Sequence, residues 1–280
     1  MDIKAVIEGV RKLPLTPQIL PKLQNLIRDP GAEIEDIVTL IKMDAPLVAQ
    51  VVRLSNSVFF GSALPSQSVE DAVKRLGFNE VFRVVNLIVS QQVLGQEMTC
   101  YGKGQGELFQ ESLYCGVIME KLAIRAKLDP SNAYTIGLLH PIGKVVINQY
   151  LLTRSMILYD GSSGQSLTQE DEKALLGFNN AEVAGALLRG WNFPEELTMP
   201  IEHQYNPETA APHDKLAQLL RLSRVVGQRL EMKIIDGGGF DYMPEEQLLS
   251  ELRLDKDSFQ KAVMDSEESL GVMTALMAAV

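Results

Sequence analysis

Apolar residues recur along most of this chain at three- and four-residue intervals, the spacing that lays one stripe along an α-helix. Ile3, Val6, Ile7 and Val10 share a face and predict a short opening helix. Leu13-Pro14-Leu15-Thr16-Pro17 ends it, with Thr16 as an N-cap and Pro17 as the first residue of the next helix. Ile19, Leu20, Leu23, Leu26 and Ile27 give that helix its stripe, and Asp29-Pro30-Gly31 stops it. Ile34, Ile37, Val38 and Ile41 predict a third helix, and Pro46 opens a fourth carrying Val48, Val51, Val52 and Leu54. Ser68-Val69-Glu70-Asp71 is a capping-box-like start, and Gly77 is suited to the position just past a helix end. Val81, Val84, Val85, Ile88 and Val89 are β-branched enough to suggest a strand, but their period favours a buried helix.

The stretch 99–106 holds three glycines and reads as a loop between two subdomains. Beyond it the pattern predicts a long helix over 107–127, a restart at Asp129-Pro130, a helix through 145–152 and another through 156–159. A loop at 161–164 follows, then a cap at Thr168–Asp171. Helices over 180–189 and 195–204 are separated by a turn holding Trp191 and Pro194. A strongly amphipathic helix is expected over 215–230, a flexible break at Gly237-Gly238-Gly239, and two short helices ending in an apolar tail from Leu270. The expectation is an all-α, multi-helix protein.

Composition agrees: 46% hydrophobic and 22% charged residues suit a globular chain, and the 6% aromatic share leaves aliphatic side chains to fill the core. A net charge of −10 disfavours nucleic acid and anionic membrane surfaces as partners. Cys100 and Cys115 fit no zinc spacing and no secreted disulfide framework, so a reduced, cytoplasmic setting is expected. No apolar run is long enough to span a bilayer, and the start of the chain does not look like a signal peptide. The scattered methionines read as core filler, with an adaptable interaction face as the alternative for Met264, Met273 and Met277.

Several motifs then stand in a specific order. Leu13-Pro14-Leu15-Thr16-Pro17 is followed by Ile41-Lys42-Met43-Asp44-Ala45-Pro46-Leu47, by Val52-Arg53-Leu54-Ser55-Asn56-Ser57, by Phe60-Gly61, and by Ala72-Val73-Lys74-Arg75-Leu76-Gly77. Together they resemble the HDOD domain (HD-related output domain) of bacterial signalling proteins. The resemblance runs over 13–207 and weakens to about 230: an N-terminal helical subdomain over 13–98 packed against a degenerate HD-type helical core over 107–207, with 231–280 a C-terminal helical extension. In that core, Gly137-Leu138-Leu139-His140-Pro141-Ile142-Gly143-Lys144 is similar to the GLLHDIGK signature of metal-dependent phosphohydrolases, with Pro141 where the signature has its aspartate.

The resemblance also implies which ligands are missing. The early histidine position holds Glu111, the second ligand is His140, the aspartate is Pro141, and the downstream histidine is Asn180. The histidine pair falls on Gln204 and Tyr205, with His203 within a short shift of that site, and the late aspartate lies near Ser223-Arg224. A catalytic divalent ion needs three or four protein ligands, mostly imidazole and carboxylate, to polarise a phosphoryl oxygen and activate water. This set falls short, so no metal, no cofactor and no catalytic residue is expected. Pro141 should also push His140 out of helical geometry and leave Lys144 without its neighbouring carboxylate.

The leading expectation is a non-catalytic signal-transduction module that binds a protein partner, or a small ligand, and acts in trans. Asp44, Asn56 and Ser57 are candidates for a partner groove; the structural alternative is that Asp44 and Asn56 cap helices. A second reading is a phosphohydrolase rebuilt on His140, Glu111 and His203. A third, a nucleotide or second-messenger receptor without turnover, needs basic residues at the old pocket, for which Lys144 and Arg189 are the candidates.

Overall fold

Several helices start where a side chain caps them, with Asp44, Ser68, Asp129, Thr168 and Asn179 among the caps. The computed structural model describes residues 2–10, 18–57, 65–154, 166–236 and 240–278. The expected features at Thr16-Pro17, Phe59-Phe60-Gly61, 156–159, 161–164 and Gly237-Gly238-Gly239 lie outside those residues. Among the described residues the protein is all-α, with a single isolated antiparallel bridge between Met98 and Lys103. No helix among them is long and apolar enough to cross a membrane.

The N-terminal half comprises α1 (Ile3–Glu8), α2 (Ile19–Arg28), α3 (Ile34–Lys42), α4 (Ala45–Ser55), α5 (Val69–Leu76) and α6 (Phe78–Leu94). Asp44 caps α4, its carboxylate accepting from the Leu47 N–H at 2.9 Å, and Ser68 caps α5 through the Asp71 N–H. Gly77 takes φ 79°, which lets α5 end and α6 begin at one residue. Asn56 closes the far end of α4. Its amide nitrogen donates to the Ser66 carbonyl at 2.8 Å and its oxygen accepts from the Ser66 N–H at 2.6 Å, pinning the returning chain. Asp44 and Asn56 therefore have the structural roles foreseen for them.

The remaining helices are α7 (Glu107–Ala126), α8 (Pro130–Leu139), α9 (Ile142–Thr153), α10 (Gln169–Leu176), α11 (Asn180–Gly190), α12 (Glu195–Glu202), α13 (Asp214–Asp236), α14 (Glu246–Glu251) and α15 (Lys256–Ala278). α6 is buried because it packs on both halves, against α2, α4 and α5 on one side and α7, α8 and α9 on the other. Asn86 of α6 donates to Thr135 of α8 at 3.2 Å, Arg83 bridges to Glu120 of α7 at 3.0 Å, and Gln24 of α2 donates to Asn132 of α8 at 2.8 Å. α1 leaves the N-terminal half and packs on α9 and α11, with Val6 fully buried.

α7 is the central element, in contact with α8, α13 and α15. It meets α8 through two glycines: a Cβ on Gly137 would lie 2.6 Å from the Gly116 nitrogen, so the backbones touch.

Three expectations need correction. The stretch 99–106 is no simple loop, since Thr99–Tyr101 forms a 3-10 turn and Met98, Cys100 and Tyr101 are buried. Its glycines hide a sequence whose apolar side chains are all used in the core. The last helix is long, not short: α15 runs from Lys256 to Ala278, beside α7, with Phe259, Val263 and Leu270 buried and Arg125 paired to Asp265 at 2.7 Å. Met264 is exposed while Met273 is buried, so these two do not share an interaction face.

Candidate functional site

The joint between α8 and α9 carries the residues on which the sequence reading turned. Asp129 caps α8, and the helix stays regular through His140, whose backbone has φ −54° and ψ −34° and whose N–H bonds the Ile136 carbonyl at 2.9 Å. Pro141 therefore does not expel His140 from the helical region. The break falls on Pro141 itself, at φ −90° and ψ 7°, and Lys144 restarts the ladder onto the Pro141 carbonyl. Proline has no N–H to give the Gly137 carbonyl four residues back. That carbonyl accepts instead from Nδ1 of His140 at 2.8 Å. The imidazole thus repairs the hydrogen bond that the proline removes, and this fixes the tautomer: Nδ1 carries the proton and Nε2 is bare. Burial first, then the charge of Arg224, holds the ring well below the usual histidine pKa and so neutral.

His140 lines a small cavity of about 50 Å³ between α7, the α8–α9 joint and α13, together with Glu111, Cys115, Lys144, Arg224 and Glu231. Glu111 is ion-paired with Lys103. Burial raises the Cys115 thiol to about 12, so it is no thiolate. Lys144 lies over the Tyr101 ring at 5.3 Å and Arg224 over the Tyr205 ring at 4.9 Å. Among the described residues neither cation forms an ion pair or a hydrogen bond. Desolvation, followed by the Arg224 charge, lowers Lys144 to about 8.

Beside the cavity lies a polar knot. Glu172 of α10 is fully buried. It accepts from the Tyr101 hydroxyl at 2.6 Å, the Asn180 N–H at 2.6 Å and the Asn180 amide at 2.8 Å. The Asn180 amide also reaches the Tyr205 hydroxyl at 3.1 Å. Burial raises the Glu172 carboxyl, and these donors oppose it. Tyr101 is pushed well above its ordinary value by burial and then by the Glu172 charge.

The structure thus gathers Glu111, His140, Pro141 and Lys144 at one cavity and ties Asn180 and Tyr205 into the adjoining knot. Gln204 is buried and donates to the His140 carbonyl at 3.2 Å. His203 ends α12 and bonds Thr209 at 2.7 Å, and is not among the cavity residues. Asp44, Asn56 and Ser57 lie on the N-terminal half, also outside it. Arg189, named as a basic candidate for the pocket, pairs with Glu202 instead. Its place is taken by Arg224, in the segment where the late aspartate was expected; the adjacent Ser223 is buried. Glu172 was missed. It sits in an acidic first turn that reads as solvent-exposed, and no local signal marks its burial.

These residues do not fit the metal that an active HD site holds. Among the described residues, no three His, Cys, Asp or Glu side chains converge as a ligand set. The one imidazole faces two cations, and a divalent ion would add to that positive charge.

Comparison with known proteins bears on the whole chain. It is 25% identical over 237 residues to an uncharacterized protein of Treponema pallidum (strain Nichols), covering 83% of this chain but 44% of the relative. The solved structure of a "Putative signal transduction protein" from Marinobacter aquaeolei VT8 matches with a TM-score of 0.74 and 26% identity, over 99% of this chain and 65% of that one. The chain therefore spans under half of the first relative and about two thirds of the second. A "Putative phosphohydrolase" from Shewanella amazonensis SB2B shares the fold, with a TM-score of 0.60 and 22% identity over 95% of this chain and 98% of that one. The family model of the HDOD domain matches residues 13–207, and the chain belongs to that family.

Proposed function

We propose that this chain is a non-catalytic signalling module, cytoplasmic, that binds a protein partner through a scaffold whose hydrolase site no longer works. The observation that carries this reading is the Lys144–Arg224 pair beside His140, together with Pro141 in place of the signature aspartate. A phosphohydrolase of this type needs a metal to lower the pKa of its bound water and to take up charge on the phosphoryl oxygens. Here the lining donors are one neutral imidazole, Glu111 shared with Lys103, and Glu231, and the knot around Glu172 satisfies its own members. The signalling role is supported by HDOD membership and by the name of the Marinobacter structure.

The second reading, a phosphohydrolase rebuilt on His140 and Glu111, has the Shewanella protein's name in its favour. Fold alone does not carry activity from one protein to another. The test is metal analysis of protein purified without chelator, followed by assays on a phosphomonoester and a cyclic dinucleotide with Mn²⁺, Fe²⁺ and Zn²⁺. The expected result is substoichiometric metal and no turnover. A stoichiometric ion with turnover that is lost in His140→Ala would overturn the reading.

A further inference from the structure

Two side chains of the same charge line the cavity between α7, α9 and α13, with the Glu111 and Glu172 charges acting on Lys144 only from beyond ion-pairing distance. The Lys144 ammonium and the Arg224 guanidinium each rest on a tyrosine face, and neither has a carboxylate within ion-pairing distance among the described residues. Aromatic faces offset part of the cost of desolvating a cation, but they bring no negative charge. Two carboxylates do line the cavity. Glu111 is occupied by Lys103. Glu231 has its carboxyl raised by burial and then by the Glu111 charge. Lys144 and Arg224 are thus the two lining cations without a carboxylate in ion-pairing distance among the described residues.

The change from the metal-binding pattern has a direction. Pro141 removes one negative charge from the position of the signature aspartate, and in the segment of the late aspartate Arg224 adds a positive one. A pocket that would attract a divalent cation now repels it and attracts what the cation would have held.

We propose that this cavity binds the phosphoryl group of a phosphomonoester without a metal, with Arg224 and Lys144 supplying the positive charge. The guanidinium presents two parallel donors to two phosphoryl oxygens, and the ammonium meets a third as a point charge. A cavity of about 50 Å³ has room for a single small oxyanion and little else. The rest of the ligand has a place to go. A second, more open cavity of about 270 Å³ shares Arg224 and Gln228 with the first and adds Tyr205 and Arg221. An organic group esterified to the phosphate would lie there, against an aromatic ring and a further guanidinium. The site is thereby a receptor pocket, and it rests on the metal-free reading of the old catalytic hollow given above.

The test is calorimetric titration of the full chain in EDTA, with inorganic phosphate in one arm and AMP in the other. Saturable binding of AMP at one site per chain is expected, weakened about tenfold or more in Arg224→Gln and in Lys144→Gln and unchanged in Arg189→Gln. Thermal melts of each variant check folding, and Arg224→Lys, which keeps the charge and loses the fork, should bind between wild type and Arg224→Gln. AMP bound more tightly than phosphate supports occupancy of both cavities. Equal affinity for the two overturns the ester assignment and leaves a free oxyanion as the ligand. No saturable binding in either arm, or binding that survives both Gln variants, overturns the site itself. Phosphate release from AMP with added Mn²⁺ is measured in parallel. Release would sink the non-catalytic reading, whereas absent binding with no release sinks only the anion site.

Discussion

Replacing Lys144 with methionine should make the protein more stable. Lys144 is held at about 8 rather than 10.5, first by desolvation and then by the nearby Arg224 guanidinium, with the Glu111 charge opposing. Each tenfold shift in acidity is about 1.4 kcal/mol, so keeping this ammonium charged in the fold costs on the order of 3 kcal/mol, trimmed to about 2–3 by solvent reaching the cavity. Methionine keeps much of the aliphatic length and carries no charge to desolvate. The sign follows from linkage. Between about 8 and 10.5 the unfolded chain holds a proton on this lysine that the folded chain has lost, so wild-type stability gains with rising pH through that window. Below it the penalty is complete. Urea unfolding of wild type and Lys144→Met in phosphate-free buffer with EDTA should show the variant more stable at pH 7 by about 2–3 kcal/mol, with the gap closing as pH approaches 10.5. Comparing the two proteins removes the titration of groups that do not sense the Lys144 charge; Glu172 and His140 do sense it. A variant less stable than wild type at pH 7, or a gap that does not change with pH, would refute the reasoning.

Three more perturbations test the frame around the site. Gly143→Ala would drive a methyl into the Asn180 carbonyl and to 2.9 Å from the Ala184 nitrogen, all backbone, and should cost more than about 3 kcal/mol in chemical denaturation. Gly116→Ala, with nearest contacts at 3.2 Å, should cost clearly less, and the reverse order would contradict the packing described. Glu172→Gln places an NH2 donor among three existing donors and should destabilise by about 1–3 kcal/mol, read from the urea midpoint; a neutral effect would show that the knot is dispensable. Truncation before Lys256 uncovers the face of α7 beneath Phe259, Val263 and Leu270, each worth about 1.5–3 kcal/mol, so a soluble, cooperatively unfolding shortened chain would argue against α15 as part of the core.

What the sequence made legible was local. Asp44, Ser68, Asp129 and Thr168 announce their helices because a cap and its N–H partner lie within three residues. The valine-rich run of α6 is helical because tertiary packing on both sides overrides its β-branched bias. Pro141 misled for an equally local reason. A pre-proline residue ordinarily avoids the helical region, but here the His140 side chain takes over the orphaned Gly137 carbonyl. Arg224 and Glu172 were out of reach of such reasoning. Arg224 sits next to the buried Ser223 on an amphipathic helix, and only the way α13 lies on α7 decides which of the two meets the cavity. Glu172 is one of three acids in the first turn of α10, and its partners are 71 and 8 residues away.

The glycine contacts decide how the hollow could ever change size. Gly116 against Gly137 leaves no space between α7 and α8, which bear Glu111 and His140, and Gly143 against Asn180 leaves none between α11 and α9, which bears Lys144. The opposite wall has ordinary clearance: around Gly227 of α13 the nearest neighbours, Ile118 and Tyr114, stand 3.6 and 3.7 Å from a notional Cβ. At that point an added side chain would meet ordinary van der Waals contact, not backbone overlap. α15 lies along α7 and is also tied to α13 through Lys233 and Glu267, so both faces of the hollow share one brace.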